Sequence, residues 1–349
     1  MTTPGQTPDR PDSNKIGFTK PDYAGSKSTL CVGCGHDQIT NHIITACYQS
    51  DVNPYELLKM SGIGCSSKTP AYFMSKSFGF NSLHGRMAPV STGAHVVLPN
   101  YFMLGVSGDG DTASIGLSGF CHLVRRNLPM VYLVANNGVY GLTKGQFSAT
   151  ADAGAQLKSG EKNPFESIDL CSLAIDLGCT FVARSFSGDA KQLVPLIKSA
   201  LRHRGTAFID VISPCVTFNN HDGSTKSFNY LKEHDVVLQE LGFIGAQESI
   251  EVDYQEGAKE VVELHDGSKL TLKKIAQNEH NPKDRKSAMD LLYNHRKTGE
   301  IVTGLFYIEE NKESFTESLN LCDASLAQLN ESELRLPQDK FRELMSEFR

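Results

Sequence analysis

Short apolar runs alternate along this chain with longer segments in which apolar residues recur at helical spacing. The runs of strand length, rich in β-branched and aromatic residues, cover 55–63, 101–106, 130–135, 180–186 and 207–213. Helical spacing predicts helices over 37–50, 91–98, 113–126, 169–177 and 190–201. This alternation is typical of an α/β fold with a doubly wound, mostly parallel sheet.

The regular pattern occupies the middle of the chain and divides the sequence into three parts. Residues 1–28 are polar and turn-forming, which predicts an N-terminal arm that wraps a surface or is ordered by a partner. Residues 29–243 carry the α/β alternation and form the predicted central domain. The pattern changes after that, so we interpret residues 244–349 as a C-terminal extension.

Two segments outside the alternation carry predictions of their own. Residues 138–165 lack periodicity and are rich in small polar residues and glycine, which indicates a long loop suited to ligand binding. In the C-terminal extension, Asp266 and Gly267 predict the turn of a β-hairpin. Charged helices are predicted over 285–296 and 338–348.

Polar residues follow two neighbouring strands at the points where these strands end. Asp109 follows the first strand within a GDGD motif, and Asn137 follows the second within NNGVY. A right-handed β-α-β crossover brings both strand ends to one edge of the sheet, where open parallel sheets bind ligands. These side chains and the main-chain carbonyl of Val139 offer hard oxygen ligands to magnesium, while Gly108 and Gly110 let the backbone approach a diphosphate.

The two motifs together resemble the thiamine diphosphate signature, in which NN follows GDG after about two dozen residues. The resemblance implies that Asp109, Asn137 and the carbonyl of Val139 bind magnesium and that Asn136 supports the loop. Thiamine diphosphate is therefore the expected cofactor.

Composition removes several classes of function. The chain has 34 basic and 40 acidic residues, a formal charge of −6 and no basic block, so nothing favours binding to nucleic acid or to an anionic membrane. The first 28 residues lack the apolar core of a secretion signal, and no run approaches the ~20 apolar residues of a membrane span. We expect a cytoplasmic protein.

Nine cysteines without a secretion signal argue for reduced thiols. Four of them fall within apolar stretches and Cys322 lies in the tail, which leaves Cys31, Cys34, Cys65 and Cys215 beside glycine or proline in predicted loops. Four thiolates suit a [4Fe–4S] cluster or a structural zinc, and a redox CxxC pair is a further possibility. Their dispersion along the chain favours a cluster, which can accept single electrons from a thiamine adduct.

With both the thiamine diphosphate signature and the four loop cysteines, the chain resembles the β subunits of 2-oxoacid:ferredoxin oxidoreductases over roughly residues 28–243. The motifs that carry this resemblance are CVGCG at 31–35, GIGCSSKTP at 62–70, HGR at 84–86, YGLTKGQ at 140–146 and SPCVTFN at 213–219.

The resemblance implies roles for individual residues. The four loop cysteines hold one [4Fe–4S] cluster. Lys68 lies near the substrate carboxylate, Leu142 shapes substrate choice, and His84 and Arg86 contact the cofactor or the acid, with loop anchoring as the alternative for His84. The implied cofactor-binding positions are Gly64, Gly108, Asp109, Gly110, Asp111, Asn137, Val139, Tyr140, Gly141, Leu142 and Thr143.

The same resemblance implies a partner. In this family the glutamate that activates thiamine comes from a separate pyrimidine-binding domain, and no second copy of the signature domain is visible here. Our hypothesis is an α2β2 complex in which the α subunit supplies that glutamate and most contacts to coenzyme A, with ferredoxin as electron acceptor.

Substrate and class are open to alternatives. YGLTKGQ and GCSSKTP look more like the enzymes for 2-oxoglutarate than those for pyruvate, and pyruvate or a broad range of 2-oxoacids is the alternative. A non-redox thiamine-dependent decarboxylase would not need the four cysteines, and a zinc-stabilised binding module would not need the magnesium pair.

Overall fold

The structure, a computed structural model, describes residues 12–143, 145–156, 160–216, 248–264 and 269–348. The strands within these residues are β1 (Leu57–Ser61), β2 (Phe78–Asn81), β3 (Phe102–Gly108), β4 (Met130–Asn136), β5 (Val139–Tyr140), β6 (Gln146–Phe147), β7 (Phe181–Phe186), β8 (Thr206–Ile212), β9 (Lys259–Glu263), β10 (Lys269–Lys274) and β11 (Ile301–Ile308). Nine of them form one sheet in the order β2-β1-β3-β4-β8-β7-β11-β10-β9. From β2 to β7 all neighbours are parallel.

Helices cover both faces of this sheet. They are α1 (Gly35–Gln49), α2 (Met87–Val97), α3 (Leu117–Arg125), α4 (Leu170–Asp176), α5 (Ala190–Arg202), α6 (Arg285–Arg296), α7 (Phe315–Ser318), α8 (Glu331–Leu334) and α9 (Gln338–Ser346). One apolar core packs α2, α3, α4 and α6 against one face, and a second packs α1 and α5 against the other. Successive residues of β4 alternate between these cores, because Tyr132 belongs to the first and Leu133 to the second. The predicted doubly wound α/β fold is confirmed.

Several boundaries differ from the prediction for local reasons. The predicted helix 113–126 is divided, since a π-helical turn covers Gly110–Ile115 and α3 begins only at Leu117. The chain begins α2 at Met87, earlier than predicted, and β5 and β6 form a small antiparallel hairpin inside the predicted loop. Two strands of the main sheet, β2 and β11, were not predicted.

The described part of the N-terminal arm, from residue 12, lies against the central domain. Tyr23 is fully buried, its hydroxyl donates to the carbonyl of Val52 at 2.8 Å, and Ala24 bridges to Phe73. From residue 12 onwards this segment is therefore packed against other parts of the chain.

The C-terminal extension is built onto the same sheet. β11 pairs antiparallel with β7, and β10 pairs parallel with β11 and antiparallel with β9. The predicted hairpin is thus confirmed in its strands, while Asp266 and Gly267 of its turn, and the boundary at residue 243, lie outside the described residues. In the part of the chain that the structure describes, every helix is too short or too polar to span a membrane.

Candidate cofactor site

The strands that carry the two signature motifs end side by side. Gly108 at the end of β3 is in register with Ala135 near the end of β4. The backbone N–H of Asn137 donates to Oδ1 of Asp109 at 3.1 Å. The predicted meeting of the two strand ends is therefore present in the fold.

Asp109 is a buried carboxylate surrounded by neutral donors. It is 1% exposed, and besides the Asn137 amide it accepts hydrogen bonds from the hydroxyls of Ser148 and Thr150, the latter at 2.8 Å. A buried negative charge is costly unless a positive charge balances it. Its three donors in the described residues are all neutral, so this carboxylate fits a site for a cation such as magnesium.

The turn after Asn137 presents the other expected ligands. Gly138 has a φ of +73°, a conformation that favours glycine, and the side-chain oxygen of Asn137 accepts from the N–H of Val139 at 3.1 Å. A carbonyl oxygen has two lone pairs, so this bond leaves one for a metal ion. Asn136 supports the loop as expected, because it accepts from Thr150 at 2.9 Å and donates to Asp210 at 3.0 Å.

A cavity opens beside Asp109. Its lining includes Cys65, His84 and all of the predicted cofactor-binding positions, namely Gly64, Gly108, Asp109, Gly110, Asp111, Asn137, Val139, Tyr140, Gly141, Leu142 and Thr143. It also includes residues that the sequence did not single out, which are His36, Ile63, Ser66 and Ala135. The fold therefore brings the thiamine motifs and one of the four loop cysteines to one cavity.

Asp111 joins this cavity to the loop that carries His84. Its carboxylate accepts from the N–H of Gly85 at 2.7 Å and from the hydroxyl of Ser107 at 3.0 Å. The close approach leaves no room for a side chain at Gly62, where a Cβ would lie 1.7 Å from the carboxylate. Asp111 thus fixes the positions of three chain segments around the cavity.

The four loop cysteines lie at the start of α1 and on two loops near it. None forms a disulfide. Burial raises the pKa of the Cys34 thiol, with further contributions from Cys215 and Cys31, and burial raises that of Cys65, which also interacts with Cys31. As the side chains stand in the described residues, no three histidine, cysteine, aspartate or glutamate groups converge on one ion. In a [4Fe–4S] cluster the four thiolates need not meet at a single ion, so this reduced and mutually interacting set fits a cluster.

A buried histidine links two of these cysteine segments. Nδ1 of His36, two residues after Cys34, is 2.7 Å from the hydroxyl of Ser213, two residues before Cys215. Burial lowers the pKa of His36 to about 4, so the ring is neutral at physiological pH.

The remaining predicted residues are more exposed. Lys68 is exposed in the short 3-10 helix Ser66–Ala71 and lies close enough to Cys65 for its charge to lower that thiol's pKa. Arg86 is exposed at the start of α2, while His84 and the half-exposed Leu142 line the cavity. Lys68 and Arg86 are not among the cavity-lining residues of the described chain.

Besides Ile63, Ser66 and Ala135 of the lining, the site contains three polar side chains that were not predicted: His36, Ser148 and Thr150. Ser148 and Thr150 lie in the segment interpreted as a binding loop, so their region was indicated but their contact with Asp109 was not. His36 directly follows the CVGCG motif, and only that adjacency could have drawn attention to it.

Comparison with known families agrees with the fold and the cavity. A model described as the C-terminal TPP binding domain of thiamine pyrophosphate enzymes matches residues 62–211. A model described as the C-terminal part of the pyruvate ferredoxin oxidoreductase beta subunit matches residues 269–323. The central fold is thus that of a thiamine pyrophosphate-binding domain.

Individual similar proteins indicate the enzyme class more closely than the family models do. The β subunit of 2-oxoacid:ferredoxin oxidoreductase from Sulfolobus sp. is 42% identical over 191 residues, 54% of this chain and 63% of that protein. 2-Oxoglutarate synthase subunit KorB of Methanocaldococcus jannaschii is 34% identical over 224 residues, 63% of this chain and 82% of that protein. The solved 2-oxoglutarate:ferredoxin oxidoreductase from Magnetococcus marinus, with 2-oxoglutarate, coenzyme A and succinyl-CoA bound, superposes with a TM-score of 0.72 and 27% identity, covering 94% of this chain and 96% of that chain.

The chain belongs to the β-subunit family of 2-oxoacid:ferredoxin oxidoreductases. It spans about three fifths of the length of the Sulfolobus relative, with 63% of that protein matched.

Proposed function

We propose that this chain is the β subunit of an enzyme that oxidatively decarboxylates a 2-oxoacid, forms an acyl-CoA and passes two electrons to ferredoxin. The observation that carries the proposal is the shared cavity, in which Cys65 of the thiol set lines the same space as Asp109 and Asn137. Such proximity suits a redox reaction on thiamine, since electrons can leave the cofactor for an adjacent acceptor.

We propose 2-oxoglutarate as the substrate, with succinyl-CoA and carbon dioxide as products. The names of the KorB relatives and the ligands of the Magnetococcus marinus structure support this choice. Pyruvate, or a broad range of 2-oxoacids, is the second candidate. It is favoured by the match of residues 269–323 to the C-terminal part of the pyruvate ferredoxin oxidoreductase beta subunit.

In this function the chain's own residues hold the cofactor in place. Asp109, the side-chain oxygen of Asn137 and the carbonyl of Val139 hold magnesium, while Gly108 and Gly110 present backbone to the diphosphate. Thiamine diphosphate, when bound, supplies the nucleophilic carbon and the electron sink for decarboxylation.

The surrounding side chains handle the electrons and the substrate. Cys31, Cys34, Cys65 and Cys215 hold one [4Fe–4S] cluster beside the cavity. A cation is needed to hold the carboxylate of the incoming acid, and Lys68 takes that role from its position near Cys65. The HGR residues His84 and Arg86 contact the acid or the cofactor, and Leu142 helps to shape substrate choice.

The proposed assembly is an α2β2 complex in the cytoplasm. The α subunit supplies the glutamate that activates thiamine and most contacts to coenzyme A. Ferredoxin takes the electrons from the cluster.

The cluster is tested on the anaerobically purified complex of this chain with its α subunit. After dithionite reduction we expect an electron paramagnetic resonance signal of a reduced [4Fe–4S] cluster and about four iron atoms per chain. Cys34→Ala should lose the signal, most of the iron and electron transfer to ferredoxin, while Cys322→Ala, at an exposed cysteine in the tail, should keep all three.

Three outcomes would contradict the proposal. Stoichiometric zinc without a reduced-cluster signal would favour a zinc-stabilised binding module. Decarboxylation without either metal at the thiols would favour a non-redox thiamine enzyme, and unchanged iron content in Cys34→Ala would refute the ligand assignment.

A further inference from the structure

His36 is a buried titratable residue with no role in the function proposed above. It is 2% exposed, belongs to the first turn of α1 and lines the cofactor cavity together with Cys65 and Asp109. A polar ring that is buried at a cavity wall needs a hydrogen-bond partner, and the position of that partner indicates what the residue does.

The partner, Ser213, lies where the cysteine site meets the magnesium site. Its hydroxyl is 2.7 Å from Nδ1 of His36, and its backbone N–H donates to the carbonyl of Asn136 at 2.8 Å. Asn136 directly precedes the proposed magnesium ligand Asn137, and Cys215 lies two residues beyond Ser213. One fully buried serine therefore connects the segment of Cys34, the segment of Cys215 and the end of β4.

The backbone beside this bond is closely packed. A Cβ at Gly35, between Cys34 and His36, would lie 2.5 Å from the hydroxyl oxygen of Ser213 and 2.6 Å from that of Ser187. The start of α1 thus lies close against the ends of β7 and β8, with no room for a side chain at Gly35.

We infer that His36 is a positioning residue whose hydrogen bond to Ser213 holds the Cys215 segment at a fixed position relative to Cys31 and Cys34. The inference rests on the proposed function, because it assigns His36 to the support of the cluster that those thiols hold. The same bond sets the distance between the thiols and the cofactor cavity, since Ser213 is also fixed to the end of β4.

Supporting hydrogen bonds of this kind orient the residues that bind a metal centre. Their loss typically weakens metal binding about 10–100-fold while the ligands themselves remain. Loss of the His36–Ser213 bond should therefore loosen the cluster and change its reduction potential without removing a cysteine.

The test uses the reconstituted anaerobic complex and four variants. Ser213→Ala and His36→Leu remove the bond from either side. His36→Asn keeps a polar atom near the place of Nδ1, and Ser187→Ala removes a neighbouring buried hydroxyl without touching the bond. For each we measure the rate at which an iron(II) chelator removes iron and the midpoint potential of the cluster by redox titration followed by electron paramagnetic resonance.

We expect Ser213→Ala and His36→Leu to lose iron about tenfold faster than the wild type and to shift the midpoint potential in the same direction. His36→Asn should restore most of both properties, and Ser187→Ala should match the wild type. Ser213→Ala removes only one oxygen atom, so it tests the inference even if His36→Leu does not fold.

The outcomes separate this inference from the proposed function. A wild-type complex without iron would contradict the proposed function. A wild type with a full cluster, together with wild-type iron loss and potential in both Ser213→Ala and His36→Leu, would overturn the role of His36 alone. An equal effect in Ser187→Ala would also overturn it, because the cause would then be general packing.

Discussion

Gly110, in the GDGD motif, lies so close to a neighbouring side chain that this position has no room for a side chain of its own. A Cβ at this position would lie 2.5 Å from the ring of Tyr140, whose hydroxyl donates to the carbonyl of Gly110 at 2.9 Å. The ring packs directly over the motif and also lines the cofactor cavity. The glycine therefore has a structural reason that the signature motif does not reveal.

We predict that Gly110→Ala lowers the free energy of unfolding by about 1–3 kcal/mol, because the added methyl must displace the Tyr140 ring. In the double variant Gly110→Ala/Tyr140→Leu the ring is absent, so the cost of the alanine should largely disappear. Urea unfolding of the wild type, the two single variants and the double variant measures this coupling as a double-mutant cycle.

Gly93→Ala is the matched control, since in the described residues no atom beyond its own helical backbone lies within 4 Å of a Cβ at this exposed position of α2. It should leave stability unchanged or raise it by about 0.5–1 kcal/mol. Additive effects of Gly110→Ala and Tyr140→Leu would contradict the proposed contact.

Short motifs made one part of the candidate site predictable. Asp109 and Asn137 each follow a strand, so local sequence together with the crossover rule predicts that they meet. His36 and Ser213 are 177 positions apart, and the bond between them depends on how α1 packs against the sheet. No local pattern contains that information, which is why His36 was not predicted.

At the scale of elements, the central parallel strands were predictable and the outer ones were not. β4 is buried along its whole length and appears as a continuous apolar run. β2 has only four residues, all exposed, and β11 contains Gly304 with a φ of +138°. The antiparallel pairing of β11 with β7 joins segments more than 100 residues apart, and a strand pattern does not specify its partner.

One contact ties the C-terminal region to the central domain through a buried histidine. His95 on α2 is 2% exposed, and its Nε2 is 2.6 Å from the hydroxyl of Thr316 on α7. Burial lowers the pKa of His95 to about 4 from an ordinary value of 6.5. The folded protein therefore holds this ring neutral.

The sign of the pH effect follows from this lowered pKa. Between pH 6.5 and about pH 4 the unfolded chain binds a proton at His95 that the folded chain does not bind. The contribution of the neutral His95 ring to the free energy of unfolding is therefore fully present above pH 6.5 and is lost as the pH falls towards 4. From about pH 7.5 to about pH 5 this one group should cost about 2 kcal/mol of unfolding free energy. His95→Gln keeps a polar atom near the place of Nε2 but does not titrate. Between about pH 7.5 and about pH 5 its free energy of unfolding should therefore fall by about 2 kcal/mol less than that of the wild type.

Urea unfolding at the two pH values compares the wild type with His95→Gln. His122→Gln, at an exposed position of α3, is the control and should behave as the wild type. An equal loss of stability in the wild type and His95→Gln would contradict the assignment.

At the scale of the whole molecule, the cavity contains one part of a thiamine site. The carboxylates that line it in the described residues belong to Asp109 and Asp111. Asp109 is the proposed magnesium ligand, and Asp111 is bonded to Gly85 and Ser107. Among the described residues both carboxylates thus already have a role, which agrees with the proposal that the partner supplies the group that activates the aminopyrimidine ring of the cofactor.

The last prediction follows from this division of the site. The isolated chain should bind its metals yet show no turnover of 2-oxoacid, and addition of the α subunit should restore reduction of ferredoxin. In the complex, kcat/KM for 2-oxoglutarate should exceed kcat/KM for pyruvate by at least about tenfold. Pyruvate lacks the second carboxylate, so the polar groups that would pair with that carboxylate stay unpaired when pyruvate binds. Steady-state rates with both acids measure this preference. Full turnover by the isolated chain would contradict the need for a partner, whereas equal or faster turnover of pyruvate would leave the class intact and overturn the choice of substrate.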